Sequence, residues 1–464
     1  MALPKQNKKA ALYGFTIVEL LVVIVVIGIL VTIGVIAFNG VSMRATTAVL
    51  QSDLRTASKK IESEKVINSD QYPSTEDGQN VVDQVASEGT VFQYTNDDNE
   101  NTYQLSVTSA TNDTIAGFHL TSDDPDIDEG VWSGHDSPIA QINGGVVTTL
   151  AGSGAATHAD GAGVAASFEE PANLDVDADG NVYVSDYGND RIRIITSSGI
   201  VTTLAGSSAS GSTNGTGANA RFDRPNGMAI DQSGNLYIGD YGNSRLRKIE
   251  PGGIVTTLAG FSQGFVDNTG SIARFRLLHD VAVDSGGVIW VADQGNDAIR
   301  RVSPAGEVTT IAGATEGFVD GTGAAAQFNS PRGIAVDSEG NLYVTDGSNH
   351  AIRRVTPAGI VTTIAGSGVS GFNDATGSAA QFNTPRGIVV ANDGTLYVAD
   401  SANNRIRMVT PEGVVTTLAG SGVAGYNDAT GAAAQFDRPY GIAIDGSGTL
   451  YVSDFDGNRI RKIE

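Results

Sequence analysis

The sequence predicts a multidomain chain of mixed class, α+β and all-β. A long N-terminal hydrophobic α-helix with a small α+β head is expected to precede a six-bladed β-propeller closed by pairing of its first and last strands. Three observations carry this prediction: an apolar segment over residues 15–38, a six-residue phrase that recurs from Val147 onward, and 58 glycines among 464 residues. Frequent glycine suits β structure with many tight turns.

The net charge and the lack of cysteine exclude several kinds of function and binding site. A formal net charge of -23 at pH 7 argues against nucleic-acid binding, which draws its affinity from clustered lysine and arginine. The chain has no cysteine, so disulfide frameworks and thiolate metal sites are excluded.

The apolar segment from Phe15 to Phe38 contains a single charged residue, Glu19, and follows a flank that holds Lys5, Lys8 and Lys9. About 20 apolar residues suffice to cross a bilayer as a helix, and a basic flank predicts a cytoplasmic N-terminus with the remainder exported. A cleaved secretory signal would have a shorter apolar region followed by a small-residue site. A plain membrane anchor would leave Glu19 unexplained, because a carboxylate in the apolar layer is costly and usually marks a function.

The run from Gly14 to Ile24, GFTIVELLVVI, resembles the processing signal of type IV prepilins and pseudopilins. The resemblance implies that residues 1–14 are a leader, that a prepilin peptidase cuts after Gly14, and that Phe15 becomes the methylated N-terminus. It also implies that Glu19 pairs with the N-terminal amine of a neighbouring pilin subunit during assembly, which would neutralise two buried charges. The implied location is the cytoplasmic membrane first and an extracellular filament after assembly.

Three segments are predicted between the leader and the repeats. Residues 15–69 are expected to form one N-terminal helix, with 15–38 in the membrane or the filament core, because apolar residues continue at mostly helical spacing after residue 39. Residues 70–122 are expected to form a small antiparallel head, and the acidic stretch 123–145 a linker.

The phrase VTTLAG or VTTIAG starts at six positions with a period of 53 or 54 residues: Val147, Val201, Val255, Val308, Val361 and Val415. Each unit has four short β-rich segments between Gly, Asn or Asp turns, which predicts a propeller blade. The region 146–464 begins with a fourth strand and ends with a third, so the two ends are expected to complete one blade. Phrases such as YVSDYGNDRIR and YVADSANNRIR resemble NHL repeats.

Two sets of aspartates recur in the units. One ends the second strand and is followed seven residues later by an arginine, which favours a structural charge pair over a cation-binding ring: Asp186, Asp240, Asp293, Asp346, Asp400 and Asp454. The other lies in the long loops and offers candidate calcium ligands, although no loop has the ligand density of an EF-hand: Asp267, Asp320, Asp374 and Asp428. No cofactor is expected.

An enzyme is not expected either. The resemblance to NHL repeats raises the possibility of a metal-dependent lyase, because some NHL-type propellers are such enzymes. These enzymes need histidines gathered at the channel, whereas His158, His279 and His350 occupy three different positions of the repeat.

Binding residues are expected where the units differ, because positions fixed by blade geometry repeat. The start of the first strand and the end of the second lie on the same propeller face. The candidate ligand-binding residues at the channel mouth are therefore Ala172, Asn226, His279, Arg332, Arg386, Tyr440, Tyr187, Tyr241, Gln294 and Phe455. Aromatic residues beside arginine and asparagine suit a glycan or protein ligand.

The sequence thus predicts a type IV pilin-like subunit, in a minor or tip position, that displays a propeller for adhesion or ligand binding outside the cell. The alternatives are a pseudopilin of a type II secretion or DNA-uptake machine, a major pilin with the propeller as a structural coat, and, less favoured, an extracellular propeller enzyme.

Overall fold

The computed structural model of this chain describes residues 90–97, 102–109, 118–121 and 145–464. The first three ranges form one antiparallel sheet in the order β1-β2-β3: β1 (Thr90–Asp97), β2 (Thr102–Ser109) and β3 (Phe118–Thr121). The range 145–464 is described separately below.

The predicted mixed class was wrong. Apart from turns, the described residues contain β-strands and nine single-turn 3-10 helices, and no α-helix occurs among them. Their alternating β-branched and polar residues favour strands over helices. The helix predicted for residues 15–69 lies outside the described residues, as do Gly14, Phe15 and Glu19 and the linker up to residue 144. In the part of the chain that the structure describes, no helix is long and apolar enough to cross a membrane.

Residues 145–464 form a six-bladed β-propeller. The blades are numbered along the chain. Blade 1 consists of β6 (Pro171–Val176), β7 (Val182–Asp186), β8 (Arg191–Ile195) and β9 (Ile200–Gly206), and blade 2 of β11 (Pro225–Ile230), β12 (Leu236–Asp240), β13 (Arg245–Glu250) and β14 (Ile254–Ala259). Blade 3 consists of β15 (Leu278–Val283), β16 (Ile289–Asp293), β17 (Ala298–Val302) and β18 (Val308–Gly313). Blade 4 consists of β20 (Pro331–Val336), β21 (Leu342–Asp346), β22 (Ala351–Val355) and β23 (Ile360–Ala365), and blade 5 of β24 (Pro385–Val390), β25 (Leu396–Asp400), β26 (Arg405–Val409) and β27 (Val415–Ala419). Blade 6 consists of β28 (Pro439–Ile444), β29 (Leu450–Asp454), β30 (Arg459–Ile463) and β4 (Val147–Ala151).

Shorter elements lie in the loops between blades and after the second strands. Three two-residue strands extend the outer edges of blades 1, 2 and 4: β5 (Gly161–Ala162), β10 (Gly215–Thr216) and β19 (Gly321–Thr322). The 3-10 helices are η1 (Gly163–Ala165), η2 (Tyr187–Asn189), η3 (Gly217–Asn219), η4 (Gly270–Ile272), η5 (Gln294–Asn296), η6 (Gly323–Ala325), η7 (Gly377–Ala379), η8 (Ser401–Asn403) and η9 (Gly431–Ala433).

Each blade is a four-stranded antiparallel meander, and its first strand contacts the first strands of both neighbouring blades. These six inner strands surround the central channel. Apolar side chains fill the space between adjacent blades, and one fully buried phenylalanine precedes each inner strand: Phe168, Phe222, Phe275, Phe328, Phe382 and Phe436.

The ring closes as the repeat pattern predicts. Strand β4, the first of the propeller, pairs antiparallel with β30, the last, so that Val147 lies opposite Ile463 and Ala151 opposite Ile460. The sixth sheet therefore has the order β28-β29-β30-β4 and combines both ends of this region. Closure of this kind leaves no unpaired edge between the first and last blades.

Small residues let the inner strands approach one another closely. A Cβ atom added at Gly333 would collide with the backbone carbonyl of Arg386 in the next blade. Blades 2, 4, 5 and 6 have glycine at this third position of the inner strand, whereas blade 1 has Asn173 and blade 3 has Asp280. These two exceptions place buried polar side chains among the inner strands.

Candidate functional site

The repeated aspartates at the ends of the second strands form buried ion pairs, in agreement with the structural role expected for them. In blade 4 the Oδ2 atom of Asp346 lies 2.6 Å from Nη1 of Arg353, and both side chains are fully buried. The other Asp346 oxygen accepts the backbone N–H of Asn329 at 2.8 Å, while Asn349 donates to Oδ2 at 2.9 Å. Burial raises the pKa of Asp346 to about 6, so the carboxylate is still ionised at neutral pH.

The same pair occurs in every blade. In each one the arginine Cζ lies 5.1 to 5.3 Å from the ring centroid of the buried phenylalanine that precedes the inner strand. The six pairs are Asp186–Arg193, Asp240–Arg247, Asp293–Arg300, Asp346–Arg353, Asp400–Arg407 and Asp454–Arg461. They fix the second and third strands of each blade to the loop before the inner strand.

The four loop aspartates considered as calcium ligands are also arginine partners. Asp320 Oδ1, for example, accepts a hydrogen bond from Arg353 Nη2 at 2.8 Å and another from Thr363 Oγ1 at 2.9 Å. Arg300, Arg407 and Arg461 hold Asp267, Asp374 and Asp428 in the same way. The described residues contain no group of three or more His, Asp or Glu side chains placed to hold a metal ion.

The candidate ligand-binding residues converge on one end of the channel. Nine of the ten line a single cavity of about 260 Å³, called here the mouth cavity: Tyr187, Asn226, Tyr241, His279, Gln294, Arg332, Arg386, Tyr440 and Phe455. The tenth, Ala172, is fully buried and packs beneath the rings of Tyr440 and Phe455. Whether these residues bind a ligand stays a prediction; the structure brings them together.

Aromatic rings form a continuous collar on one side of the mouth cavity. Tyr440 stacks between His279, with ring centroids 5.5 Å apart, and Phe455, with centroids 4.7 Å apart. Tyr187 and Tyr241 extend the collar by tilted contacts and are only half-buried. Tyr440 itself is 5% exposed, so it supports the collar, while Tyr187 and Tyr241 present their rings to the cavity.

Hydrogen bonds fix the buried part of this collar. The Tyr440 hydroxyl accepts a hydrogen bond from Asn226 Nδ2 at 2.8 Å and lies 3.0 Å from His279 Nε2. Burial, followed by the nearby charges of Arg386 and Arg332, lowers the pKa of His279 well below its ordinary value, so this imidazole is neutral at pH 7. His279 Nδ1 and Asn226 Oδ1 have no hydrogen-bond partner among the described residues.

Arginines line the cavity together with the aromatic collar, and Arg386 and Arg438 lie over its rings. Arg332, Arg386 and Arg438 line it, against one acidic lining residue, Glu170. Arg438 pairs with Asp456 at 3.1 Å, but neither Arg332 nor Arg386 makes an ion pair with any described residue. The Arg386 guanidinium lies 4.1 Å from the centroid of the Tyr440 ring, a cation–π contact that holds it at the collar.

Blade 4 makes room for Arg332 by lacking a side chain where three other blades have an aromatic one. Gly347 occupies the position of Tyr187, Tyr241 and Phe455. A Cβ atom added there would come within 2.6 Å of Cδ and Nε of Arg332. The arginine stem therefore lies across the Gly347 backbone.

Beyond the mouth, Asn173 and Asp280 join two inner strands by a hydrogen bond across the channel. Asn173 Nδ2 in blade 1 donates to Asp280 Oδ1 in blade 3 at 2.5 Å, and Asp280 Oδ2 accepts the backbone N–H of Ile334 at 3.0 Å. A second cavity of about 180 Å³, largely lined by aliphatic side chains, lies further along the inner strands and includes Asp175. The Asn173–Asp280 bond thus separates the mouth cavity from the far end.

We expect Asp280 to give the propeller a pH-dependent stability. Burial raises the pKa of Asp280 to about 8, against the opposing effect of its N–H donors. The unfolded chain releases this proton near pH 4 and the folded chain near pH 8, so the free energy of unfolding falls by about 1.4 kcal/mol per pH unit over that interval. The variant Asp280→Gly, which has the residue of blades 2, 4, 5 and 6, should lose this contribution to the slope, while buried aspartates such as Asp454, whose pKa burial raises to about 7, keep theirs.

Urea titrations of both proteins between pH 5 and pH 8 measure the difference. A slope that is the same in the variant and the unsubstituted protein would show that Asp280 is ionised throughout this range and contradict the expectation. Asp445→Asn is the control. Desolvation raises the pKa of Asp445 in the folded state, but hydrogen bonds from Ser447 and Thr449 outweigh it and lower the pKa below its ordinary value. This substitution should therefore leave the slope from pH 5 to pH 8 unchanged.

The histidines do not form a ring at the channel. Of the three in the propeller, only His279 lines the mouth cavity. His158 lies 3.0 Å from the Thr203 hydroxyl, and His350 Nδ1 accepts the backbone N–H of Thr384 in the next blade at 3.0 Å.

Sequence reasoning missed Glu170 and Arg438, which also line the mouth cavity. Both are residues immediately before an inner strand, and both have a left-handed backbone, with φ of 51° and 59°. The same conformation occurs at this position in every blade, but only these two residues of the six line the cavity. A positive φ at a charged residue leaves no clear sequence signal, although the proline that follows each of them marks the start of the strand.

Comparisons with known proteins agree with the repeat pattern. The family model described as NHL repeat matches residues 222–249 and 382–407, and the model described as Teneurin NHL domain matches residues 312–376. Protein SUPPRESSOR OF QUENCHING 1, chloroplastic, from Arabidopsis thaliana is 30% identical over 56% of this chain and 27% of its own length. NHL repeat-containing protein 2 from Bos taurus is 27% identical over 63% of this chain and 46% of its own. This chain thus spans less than half the length of both relatives.

Two solved structures from Bacteroides thetaiotaomicron share the fold. A protein of unknown function has a TM-score of 0.56 at 20% identity, covering 78% of this chain and 81% of its own. An auxiliary nutrient binding protein has a TM-score of 0.53 at 18% identity, covering 78% and 83%. At these identities the likeness concerns the fold alone. The protein therefore carries NHL repeats folded as a six-bladed β-propeller.

Proposed function

We propose that this protein is a type IV pilin-like subunit, in a minor or tip position, that displays its NHL propeller outside the cell as an adhesive, ligand-binding module. Two observations support the proposal. The N-terminal sequence from Gly14 to Ile24 resembles a prepilin processing signal, with Glu19 at the fifth position after the cleavage point. The propeller gathers its variable residues in one cavity at the end of the channel.

The mouth cavity is the observation that carries the binding part of the proposal. Ligand sites are concave and combine apolar walls with a few well-placed polar groups. This cavity combines an aromatic collar with two arginines, Arg332 and Arg386, that have no acidic partner among the described residues. A site volume of about 260 Å³ suits a compact group, such as one sugar ring, better than a long ligand.

Processing and partners follow from the prepilin resemblance. A prepilin peptidase would cut after Gly14 and methylate Phe15, and Glu19 would pair with the N-terminal amine of a neighbouring subunit. The cytoplasmic membrane and the pilus assembly machinery are the partners before the subunit enters a filament. In this proposal the propeller has no catalytic role and needs no cofactor.

Immunogold electron microscopy of sheared filaments, with antibody raised against residues 145–464, tests the placement. We expect gold at filament ends or at sparse positions along them, and the N-terminus should be methylated Phe15 by mass spectrometry. Gly14→Glu, which blocks the cleavage point, should remove gold from filaments. Dense gold along the whole shaft would instead indicate a major pilin, gold confined to cell bodies would favour a pseudopilin, and an uncleaved N-terminus would overturn the proposal.

Filaments with the double substitution Arg332→Ala and Arg386→Ala test the binding part. We expect them to lose attachment to target cells, whereas Arg276→Ala, which removes an exposed arginine outside the cavity, should not change it. Tyr440 is left unchanged because removing a buried ring would also destabilise the propeller. Equal attachment by all three proteins would contradict ligand binding at the mouth.

A further inference from the structure

The two arginines of blades 4 and 5 have donor groups that the protein does not use. The Nε and Nη1 atoms of Arg332 and the Nε atom of Arg386 are shielded from solvent and have no hydrogen-bond partner among the described residues. Burying an unpaired guanidinium costs several kcal/mol, so proteins normally supply a carboxylate or other acceptors. The six arginines of the blade scaffold also have an unpaired Nε, but both of their terminal nitrogens bind oxygen acceptors, whereas Nη1 of Arg332 has none.

Arg332 and Arg386 also lie close enough to affect each other. Burial and then the charge of Arg386 lower the pKa of Arg332 to about 10, which still leaves it charged at neutral pH. Two adjacent like charges are unfavourable unless an anion lies between them. A protein with a formal net charge of -23 therefore concentrates positive charge at one point of its surface.

The geometry of guanidinium groups favours a planar anion. Arginine binds a carboxylate through two parallel N–H···O bonds, which gives both affinity and orientation. The half-buried rings of Tyr187 and Tyr241 lie in the same cavity and offer flat apolar faces beside the charged site. An extended peptide would need a longer groove with backbone partners, whereas this cavity is compact.

We propose that the mouth cavity binds an acidic saccharide, with Arg332 and Arg386 holding the carboxylate of one uronic acid unit and Tyr187 and Tyr241 contacting its ring. This inference rests on the proposed ligand-binding function and specifies its ligand class. His279 and Asn226 line the same cavity and supply polar contacts for ring hydroxyls.

Isothermal titration calorimetry of the full-length protein in detergent micelles tests the inference. The probes are trigalacturonate and galactotriose, both α-1,4-linked. They have the same sugar-ring configuration and linkage, and only trigalacturonate has carboxylates. We expect trigalacturonate to bind at least about tenfold more tightly, and Arg332→Gln or Arg386→Gln to weaken its binding by about 10- to 100-fold. Arg276→Gln removes the same charge outside the cavity and should change the affinity by less than about twofold.

Other outcomes separate the inference from the function on which it rests. Equal binding of both trisaccharides, unaffected by Arg332→Gln, would overturn the carboxylate and leave a saccharide site. Binding of a tetrapeptide with a free C-terminus, but of neither trisaccharide nor the amidated peptide, would overturn the saccharide and keep an anion site. If no probe binds, the attachment assay decides: loss of attachment in the Arg332→Ala, Arg386→Ala filaments overturns the inference alone, and unchanged attachment overturns both.

Discussion

Replacing Asp346 with alanine is expected to lower the free energy of unfolding of the propeller by about 3–5 kcal/mol. The substitution leaves Arg353 charged and fully buried opposite an apolar side chain. It also removes the acceptor for Asn329 N–H, in the loop before the inner strand, and for Asn349 Nδ2, in the turn after the second strand. A loss of this size is a large part of the total stability of an ordinary domain.

Asp320→Asn is the matched control, because it changes the second, partly exposed carboxylate of the same arginine. Blade 2 already has an asparagine there, and Asn214 Oδ1 accepts a hydrogen bond from Arg247 Nη2 at 3.0 Å. We therefore expect Asp320→Asn to cost less than about 1 kcal/mol. Urea denaturation of both variants measures the two values, and equal losses would contradict the buried, structural role of Asp346.

The propeller was predictable from the sequence because its signals repeat. A charge pair made once per blade, such as Asp346 with Arg353, must serve the geometry that all blades share, and the structure confirms it. The same logic separated the mouth residues, since a position that changes from Asn226 to Arg332 to Tyr440 is not fixed by the blade. Nine of those positions line one cavity.

Other features depended on distances that no sequence period encodes. The loop residue Asp320 resembles a calcium ligand in composition, but in the fold its oxygens face an arginine 33 positions later in the chain. Tyr440 was predicted at the cavity surface, yet its ring is largely buried between His279 of blade 3 and Phe455 of its own blade. The Asn173–Asp280 bond joins blades 1 and 3 across the channel, so neither residue alone predicts it.

Strand β4, which closes the ring by pairing with β30, is expected to be necessary for the stability of the whole propeller. An internal deletion of residues 145–151 from the full chain should destabilise the whole propeller rather than blade 6 alone. Val147 and Ala151 are at most 1% exposed, and the loss of these buried side chains costs about 2–4 kcal/mol before any backbone hydrogen bond is counted. The deletion also leaves β30 as an open edge, which favours association between molecules.

The chain itself supplies the template for a rescue variant. Blade 2 continues from its third to its fourth strand through Pro251, Gly252 and Gly253, and its third strand ends in RKIE, as the chain does at Glu464. Adding PGGVVTTLAG after Glu464 of the deleted protein should therefore rebuild blade 6 in the order of the other five blades. We expect thermal denaturation and size-exclusion chromatography to show a lower melting temperature and aggregation for the deletion, and recovery of both properties for the rescue. A deletion variant that stays monomeric, with a melting temperature within about 2 °C of the full chain, would contradict closure by β4, since losing even 1 kcal/mol shifts the transition by roughly that much.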